Sequence, residues 1–433
     1  MGHNKDISTI MPENILMQGD ESDKPRRVIL FVCSSALHVK LFAPAIRILL
    51  LSHEFAPIIV SLDTFYAGIH GDVASYVSQL DLAVPVKRIN ISRGSGSNRL
   101  IKVLGSIHSV QTHGVPIIRE LFAQQNISLV VFGNDTGHPE RAVLRITREL
   151  NIRSLLVQDG FLFDQFSSQF VGRLRLMAVR LWLRFGGRYL GGVPYGMGAC
   201  DYITTHGKAW SEMFRQHKTH QTKQIYITGH PFLDISADMT GIIKSNKVTF
   251  FSTNYLSGHN DPIAHQNQIT EVLALRKLMS ERYEFTITLR VKIHPADNEA
   301  DYKDLLGEAG IKLYKDSDVS EMILSSCFCL SNISSVSLEC LSHGRLCFMS
   351  GIGLQKGRYR KLFYSLPSIK YVTLGELLSY LEELDMSDGY TRLLQRCRDT
   401  FLLYIDIQPG LSGADRLVSL MIDLTANDSI QDD

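Results

Sequence analysis

Short, mainly apolar runs alternate with segments of helical periodicity along the first half of the chain. Val28–Cys33 is continuously apolar, Pro57–Leu62 and Ile152–Gly160 are further predicted strands, and Val39–Leu51 is one of the helical segments. Strands that are apolar throughout are typical of a sheet buried on both faces. The strand–helix–strand alternation therefore predicts right-handed βαβ units in a parallel, Rossmann-like sheet.

The same alternation restarts in the second half, after Gly229 and Pro231 interrupt it. Val248–Phe251 and Phe285–Pro295 are further runs that predict strands, with helical segments between them. The predicted fold class is therefore α/β, with two Rossmann-like parallel-sheet domains facing each other across a cleft. The expected divisions are a flexible tail at 1–26, an N-terminal domain at 27–235, a C-terminal domain at 245–405, and a helix at 406–425 that could cross back to the first domain.

One stretch in the second half, Cys329–Met349, has the features of a phosphate site. A short apolar strand leads into a polar loop, and Ser334 and Ser335 stand where the next helix begins. Backbone N–H groups and the positive end of the helix dipole converge at such a position, and small hydroxyl residues let a phosphate approach. Glu339 lies about one turn further on, within reach of a sugar hydroxyl. An ordinary strand–turn–helix with a serine cap is the alternative interpretation.

Further polar loops are expected at the same edge of the second sheet, because ligands bind at the carboxyl ends of parallel strands. The loop Ser252–Asp261, which contains Asn254, follows one predicted strand, and His294 and Pro295 end another. A protonated histidine there neutralises a diphosphate and can give a proton to a leaving phosphate. His294 is therefore a candidate catalytic residue and Asn254 a candidate binding residue. A purely structural histidine is the alternative.

At the corresponding edge of the first sheet, the loops carry His38, Asp135 and Asp159. Asp159 ends a predicted strand, and Gly160 after it leaves room for a substrate. A carboxylate in this place can act as a general base that removes the proton from an attacking hydroxyl. Asp159 is the predicted base, and His38 and Asp135 are candidate binding residues. The alternative is that Asp159 only orders its own turn.

Composition and charge narrow the classes of function. The 45 basic and 44 acidic residues leave a net charge of +1, which argues against a nucleic-acid footprint over the whole surface. The first 26 residues lack the apolar core of a secretory signal, and no apolar run is long enough to span a membrane. The seven cysteines are scattered without zinc-type pairs, which is typical of reduced thiols. Together these features predict a cytoplasmic protein.

The segment 173–188 has the pattern of a cationic amphipathic helix. Four arginines share one face, and apolar residues occupy the opposite face. The arginines are Arg173, Arg180, Arg184 and Arg188, and the apolar residues are Leu174, Met177, Leu181 and Phe185. Such a helix can lie on an anionic membrane surface, here the inner face of the membrane. The alternatives are a helix whose arginine face is in water, or one that grips an acidic acceptor.

The sequence contains no motif for a metal site and no phosphate-binding loop of the kind that binds nucleoside triphosphates. The acidic run Asp316–Asp318 precedes a predicted helix and is interpreted as a cap. The glycine-containing run Arg93–Ser97 lacks the preceding strand and following helix of a dinucleotide-binding turn. The sequence therefore predicts no metal site and no cofactor.

These motifs resemble those of a known group of proteins. The two-domain pattern resembles the GT-B glycosyltransferase superfamily, together with the UDP-N-acetylglucosamine 2-epimerases that share its fold. "YITGHPFLD" at Tyr226–Asp234 is similar to the segment that closes the first domain of the epimerases. "SNISSVSLECLSHGRLCFM" at Ser331–Met349 is similar to their nucleotide-sugar loop and helix, and "GLSGADRLVSLMIDL" at Gly410–Leu424 to their terminal helix.

Within this group, "QDG", "KIHP" and "ISS" resemble motifs of bacterial capsule and lipopolysaccharide enzymes. These include polysialyltransferase-like and 3-deoxy-manno-octulosonic acid transferases and the CDP-polyol phosphotransferases. In those families the acidic residue before the glycine is the base, the histidine acts on the leaving nucleotide and the serines hold its phosphate. The match assigns these roles to Asp159, His294, Ser334 and Ser335. Gln158 stands where the sialyltransferase pattern has a first acidic residue.

The resemblance implies an inverting, metal-independent glycosyltransferase. Its donor would be a CMP- or UDP-linked sugar, its acceptor a glycan or lipid-linked glycan, and its pathway bacterial surface polysaccharide synthesis. A sugar-nucleotide 2-epimerase is one alternative, although Asp159 and Gly160 stand where the epimerases have an acidic residue followed by Ala-Gly. A CDP-polyol phosphotransferase and a non-catalytic nucleotide-sugar-binding subunit are the others.

Overall fold

The computed structural model describes residues 26–66, 71–94, 99–160, 174, 177–178, 181–182, 195–198, 200–216, 224–233, 245–256, 261–284, 286–354, 363–364 and 366–426. The described residues form two compact units. The first contains the described residues up to Asp159, those between Asp164 and Phe232, and those from Gln408 onward. The second contains Gly160 and the described residues from Leu233 to Ile407.

A seven-stranded parallel sheet forms the centre of the first unit, in the order β3-β2-β1-β4-β5-β6-β7. The strands are β1 (Arg27–Cys33), β2 (Phe55–Ser61), β3 (Val86–Arg88), β4 (Ile127–Phe132), β5 (Arg153–Val157), β6 (Tyr202–Thr205) and β7 (Gln224–Ile227). Among the described residues of this unit, the helices along the chain are α1 (Ala36–Leu50), α2 (Val73–Gln79), α3 (Arg99–Ser109), α4 (Val115–Gln124), α5 (His138–Glu149) and α6 (Lys208–Gln216). A 3-10 helix spans Asp63–Tyr66, and a π-helix, Val110–Gly114, joins α3 to α4.

The second unit repeats this architecture with a six-stranded parallel sheet, in the order β10-β9-β8-β11-β12-β13. Its strands are β8 (Lys247–Phe251), β9 (Thr288–Lys292), β10 (Lys312–Tyr314), β11 (Phe328–Ser331), β12 (Cys347–Ser350) and β13 (Ile369–Tyr371). Its helices are α7 (Pro262–Arg282), α8 (Ala300–Glu308), α9 (Val319–Leu324), α10 (Val336–Ser342), α11 (Leu374–Leu384) and α12 (Gly389–Tyr404). Two parallel sheets with surrounding helices confirm the predicted α/β class.

Local hydrogen bonds explain where an element differs from its sequence pattern. The segment Phe285–Pro295 is predicted as one long strand, but among its described residues only Thr288–Lys292 forms a strand. Before it, the Thr286 N–H turns back to the carbonyl of Tyr283 at 2.8 Å, and after it the Asp297 N–H bonds to the carbonyl of His294 at 2.9 Å. The strand is therefore bounded by two turns, and His294 lies in the second.

The last helix, α13 (Gly413–Ala426), packs on the first unit. Leu417 and Met421 are fully buried in the same apolar cluster as residues of β1 and α1. The Arg27 guanidinium donates to the carbonyl of Thr425 at 3.2 Å, and Arg153 donates to that of Leu424. Two strands of the first sheet thereby hold the carboxyl end of α13. None of the helices in the described ranges combines the length and apolar character needed to cross a bilayer.

Candidate functional site

A histidine–carboxylate pair lies at the carboxyl edge of the first sheet. Ser35 caps α1, so His38 falls in the first helical turn directly after β1. The Ser34 N–H donates to His38 Nδ1 at 3.1 Å, which leaves the ring proton on Nε2. Nε2 lies 2.9 Å from Oδ2 of Asp159, to which it therefore donates. The structure thus brings together two predicted site residues that are 121 positions apart in the sequence.

Asp159 is held from its backbone and remains accessible at its side chain. Its N–H donates to the Tyr195 hydroxyl at 3.1 Å, and that hydroxyl lies 2.8 Å from the carbonyl of Val157. Gly160, which follows, has φ +119°, a conformation that favours glycine. The Asp159 side chain is 27% exposed, whereas that of His38 is 4% exposed. The carboxylate therefore faces solvent, and the imidazole supports it from within the fold.

The predicted role of His38 changes accordingly. The sequence suggests a contact between His38 and a nucleotide sugar, but both ring nitrogens are engaged within the protein. His38 is buried at the base of the site, where it can orient Asp159 and has no open face toward a ligand.

A buried acid behind His38 was missed by sequence reasoning. Ser34 Oγ and the Tyr66 hydroxyl both donate to the carboxylate of Glu140, the latter at 2.9 Å to each oxygen. Burial raises the pKa of Glu140, although both hydroxyls act in the opposite direction. Glu140 stands in the first turn of α5, where acidic residues are common, so its position alone did not distinguish it. Only the fold shows that it lies beside the turn after β1.

The structural role of Asp135 differs from the binding role predicted for it from the sequence. Its side chain is fully buried, and its two carboxylate oxygens accept hydrogen bonds from the N–H groups of Gly196 and Gly198. A Cβ at Gly198 would also collide with this carboxylate. Asp135 therefore holds a neighbouring loop and does not face a ligand.

Gln158, which precedes the candidate base, is fully buried and also has a structural contact. Its Oε1 accepts the N–H of His206 at 3.0 Å and thereby joins the ends of β5 and β6. A neutral amide meets this need without placing a second charge beside Asp159. This contact explains why a glutamine, rather than an acidic residue, precedes Asp159.

The second unit collects its predicted residues at the carboxyl edge of its own sheet. The Thr253 hydroxyl after β8 donates to the carbonyl of Ile333 after β11 at 3.2 Å. The His294 N–H after β9 donates to Ser252 Oγ at 2.9 Å. The loops that carry Asn254, His294 and Ser334 are therefore directly bonded to one another. Asn254, His294 and Ser334 are all half-buried.

His294 and the serines are arranged to donate hydrogen bonds. His294 Nδ1 accepts the Ala296 N–H at 3.1 Å, so the ring carries its proton on Nε2. Ser335 is the first residue before α10, is exposed, and makes no side-chain cap, while Ser334 Oγ accepts the Val336 N–H at 3.3 Å. Because α10 has seven residues, its dipole is small, and binding here would depend on individual donors.

Glu271, a buried acid from α7, holds this serine loop in place. It accepts a hydrogen bond from Asn332 Nδ2 at 3.1 Å and one from the Tyr371 hydroxyl at 2.8 Å. Burial raises the pKa of Glu271. Glu339 lies half-buried on α10, one turn beyond the serines.

The acidic run Asp316–Asp318 lies directly before α9. Asp318 accepts the Glu321 N–H at 2.8 Å and caps α9, which confirms the interpretation of Asp316–Asp318 as a cap. Within the described ranges, no group of three or more His, Cys, Asp or Glu side chains is placed to hold a metal ion.

In the segment 173–188, the described apolar residues are helical and exposed, whereas the arginines lie outside the described residues. The exposed fractions are 50% for Leu174, 58% for Met177, 45% for Leu181 and 44% for Trp182. The arginines concerned are Arg173, Arg180, Arg184 and Arg188.

The chain matches no protein-family model and no curated protein sequence. Solved structures, in contrast, are similar over nearly its whole length. A putative UDP-N-acetylglucosamine 2-epimerase from Listeria monocytogenes has a TM-score of 0.59 at 14% identity, covering 92% of this chain and 96% of its own. The S. aureus MnaA–UDP structure has a TM-score of 0.57 at 12% identity, covering 92% and 97%.

A glycosyltransferase is similar to the same degree. The glycotransferase of kitacinnamycin has a TM-score of 0.57 at 11% identity, covering 93% of this chain and 99% of its own. At these identities the similarity shows the fold. That fold, two parallel sheets with surrounding helices, is the α/β class expected from the sequence, and the similarity does not extend to the capsule or lipopolysaccharide families.

Acid should destabilise the first unit through His206. Both ring nitrogens of His206 are buried without a hydrogen-bond partner, and its ring stacks 4.1 Å from that of His230. Burial lowers the pKa of His206 from 6.5 to about 3, so between these values the unfolded chain binds a proton that the folded chain does not. Stability should therefore fall as pH drops below about 6.5.

Replacing this ring should weaken the pH dependence. We expect the melting temperature of His206→Leu to fall less than that of the wild type between pH 7.5 and pH 5, measured by differential scanning calorimetry. His53→Leu, at an exposed histidine, is the matched control and should follow the wild-type curve. Parallel curves for His206→Leu and the wild type would show that His206 does not carry the effect.

Proposed function

We propose that this protein is an inverting, metal-independent glycosyltransferase that transfers a sugar from a CMP- or UDP-linked donor in bacterial surface polysaccharide synthesis. The acceptor is a glycan or a lipid-linked glycan. The observation that carries the proposal is the partly exposed Asp159, oriented by the buried His38 at the ligand-binding edge of a parallel sheet. Solved glycosyltransferases and UDP-sugar epimerases of similar fold support it.

Asp159 acts as the general base in this proposal. Its carboxylate takes the proton from the acceptor hydroxyl, and the hydroxyl oxygen bonds to the anomeric carbon of the donor sugar. The bond between that carbon and the nucleotide phosphate breaks on the opposite face, so the configuration inverts. The hydrogen bond from His38 Nε2 fixes one carboxylate oxygen and leaves the group in one orientation.

The second unit holds the nucleotide in this proposal. His294 Nε2–H donates to the phosphate that leaves and thereby stabilises its developing negative charge. Ser334 and Ser335 contribute hydroxyl or backbone donors, while Asn254 and Glu339 contact the sugar or nucleoside. The direct bonds between the Thr253, His294 and Ile333 loops support a single binding site within this unit.

A sugar-nucleotide 2-epimerase is the second candidate, because solved structures described as UDP-N-acetylglucosamine 2-epimerases are similar over more than nine-tenths of the chain. An epimerase converts its nucleotide sugar alone, whereas a glycosyltransferase requires an acceptor. Incubation of the protein with a nucleotide sugar and no acceptor therefore distinguishes the two activities.

Nucleotide binding should depend on His294. At 100 times its dissociation constant, a bound nucleotide stabilises a protein by about 2.7 kcal/mol, which raises the melting temperature. We expect one of CMP, CDP, UDP, GDP and dTDP to do so with or without magnesium. His294→Ala should weaken binding about tenfold or more, because a charge-assisted hydrogen bond is lost.

His343→Ala changes a half-buried histidine at the other end of α10 and serves as the control. It should keep the full nucleotide shift. If no nucleotide raises the melting temperature of the wild type, the donor site is wrong and a non-catalytic role is favoured.

Transfer should depend on Asp159. Asp159→Asn keeps the size of the side chain but cannot accept the acceptor proton. We expect the rate of transfer to fall about 10²- to 10⁴-fold, measured with radiolabelled donor, while the thermal shift with nucleotide is retained. Asp423→Asn, on the exposed face of α13, is the control and should transfer normally.

Other outcomes of this assay identify the alternatives. Conversion of the donor without acceptor would identify an epimerase. Transfer of a polyol phosphate from a CDP-polyol would identify a phosphotransferase. Full transfer activity in Asp159→Asn would reject Asp159 as the base.

We further propose that the segment 173–188 binds an anionic membrane surface. Four described apolar side chains of this segment are exposed, and the sequence adds four arginines to the same segment. Such a helix lies in the interface with its apolar face among the acyl chains and its arginines beside the headgroups. A lipid-linked acceptor is consistent with this location.

Vesicle binding should depend on the exposed apolar residues. We expect sedimentation with phosphatidylglycerol-containing vesicles, and a loss of about tenfold or more in affinity for Leu181→Ser/Trp182→Ser, since burial of each side chain contributes about 1.5–3 kcal/mol. Leu305→Ser, at a residue that is also 45% exposed, is the control. Equal sedimentation of both variants would contradict membrane contact.

A further inference from the structure

The first unit has a cavity of about 380 Å³ at the carboxyl ends of β2 and β3. A volume of this size lies near the lower end of the range for small-molecule sites. The residues that line it come from the 3-10 helix after β2, the loop after β3 and the junction of α3 with the π-helix. They are Thr64, Asn90, Ile91, Ser92, Ser109 and His113.

Hydrogen bonds between these elements shape the cavity. The Thr64 hydroxyl donates to the carbonyl of Ile89 at 2.8 Å and accepts the N–H of Ile91 at 3.3 Å. The hydroxyls of Ser92 and Ser109 lie 3.2 Å apart. The loop after β3 is therefore bonded on one side to the 3-10 helix and on the other to α3.

The helical wall of the cavity is itself irregular. Residues Val110–Gly114 form a π-helix, a feature that is often found at functional sites. A Cβ at Gly114 would lie 2.7 Å from Cδ1 of Ile91, so a larger residue here would require the Ile91 side chain to shift. Nearby, the Gly94 N–H donates to Ser106 Oγ at 2.9 Å. The cavity is thus formed by close backbone packing as well as by its polar side chains.

The chemistry of the lining suits a neutral, polyhydroxylated ligand. Hydroxyl, amide and imidazole groups can both donate to and accept from sugar hydroxyls, and Ile91 adds an apolar surface. None of the described lining residues is Asp, Glu, Lys or Arg. Asp63, the neighbour of Thr64, is buried and paired with Arg88 at 3.1 Å. Among these described lining residues, a phosphate or carboxylate has no cationic partner of the kind that binds such groups.

The cavity and the candidate base share one edge of one sheet. Asp159 follows β5, and three or four strand spacings separate β5 from β2 and β3. At about 4.8 Å per spacing, the separation along the edge is roughly 14–19 Å. A single sugar ring at Asp159 is too short to reach the cavity, whereas an extended glycan can occupy both positions.

We propose that this cavity binds a neutral sugar residue of the acceptor glycan, remote from the hydroxyl that reacts. The acceptor is therefore an oligosaccharide or a longer chain, and a monosaccharide is used poorly. This inference rests on the proposed glycosyltransferase function for its biological meaning. The binding of a neutral sugar to the cavity is testable without any transfer.

Saturation-transfer difference NMR provides the direct test, with methyl glycosides of glucose, galactose and N-acetylglucosamine as probes and N-acetylneuraminic acid and glucose 6-phosphate as charged comparators. We expect at least one neutral glycoside to receive saturation from the wild-type protein. The signal should fall at least fivefold in Asn90→Leu/Ser92→Val and persist in Gln124→Leu, which changes an exposed amide on the adjoining helix α4. An unchanged melting temperature verifies that the double variant is folded.

Absence of binding by all three neutral glycosides, unchanged binding in the double variant, or stronger binding of the charged sugars would each overturn the proposal. Asp159→Asn should bind the neutral glycoside as the wild type does. If the glycoside binds at the cavity but no donor sugar is ever transferred, the proposed function fails and the cavity assignment stands.

Transfer assays supply the complementary readout. With acceptors of increasing length, the double variant should raise the KM for long acceptors at least fivefold and leave that for a disaccharide unchanged. If transfer is normal and the double variant has the wild-type KM for every acceptor length, the proposed function stands and the acceptor role of the cavity is wrong.

Discussion

Strand β1 is buried on both faces and hydrogen-bonded along both edges, and the rest of the first unit depends on it. It pairs in parallel with β2 and β4, and Ile29–Cys33 are shielded from water. Inside such a sheet every backbone polar group is already paired, so polar side chains collect where the strands end. Ser34, Ser35 and His38 follow at once, and one of them caps α1 while the others reach Glu140 and Asp159. The strand therefore positions the candidate base without carrying any of its chemistry.

In the second unit, polar side chains from a single helix position the loops that follow the strands. Gln268 and Glu271 of α7 are both buried, although burial of a carboxylate is costly unless it is bonded. Gln268 accepts the N–H of Thr253 at 2.7 Å, and Glu271 bonds to Asn332 and Tyr371. One helix thus holds the loops after β8 and β11, between which a nucleotide would lie in our proposal. Loss of either side chain would leave buried donors unpaired and displace those loops.

The hydrophobic pattern along the chain was sufficient to predict the buried strands of both sheets, because each of these strands is marked by its own apolar residues. β1, β4, β5 and β11 each contain three or more consecutive apolar residues, and two turns shorten the predicted strand at β9. Short edge strands such as β3 and β13 carry no such signal, since they have three residues each and are stabilised by pairing with a neighbour. The region from Tyr66 to Ser97 accordingly has a less clear pattern in the sequence, and its residues Asn90, Ile91 and Ser92 line part of the cavity proposed for the acceptor.

The sequence by itself determined the fold class, the edge of each sheet at which polar loops gather, and the candidacy of Asp159 and His294. These depend on local patterns and on the rule that parallel strands end at the same side. Only the tertiary structure decided what each polar residue does there. Asp135 and His38 have the same sequence signal as Asp159, but their partners come from residues 61 and 121 positions away. Burial and pairing at such separations are properties of packing, and no local pattern contains them.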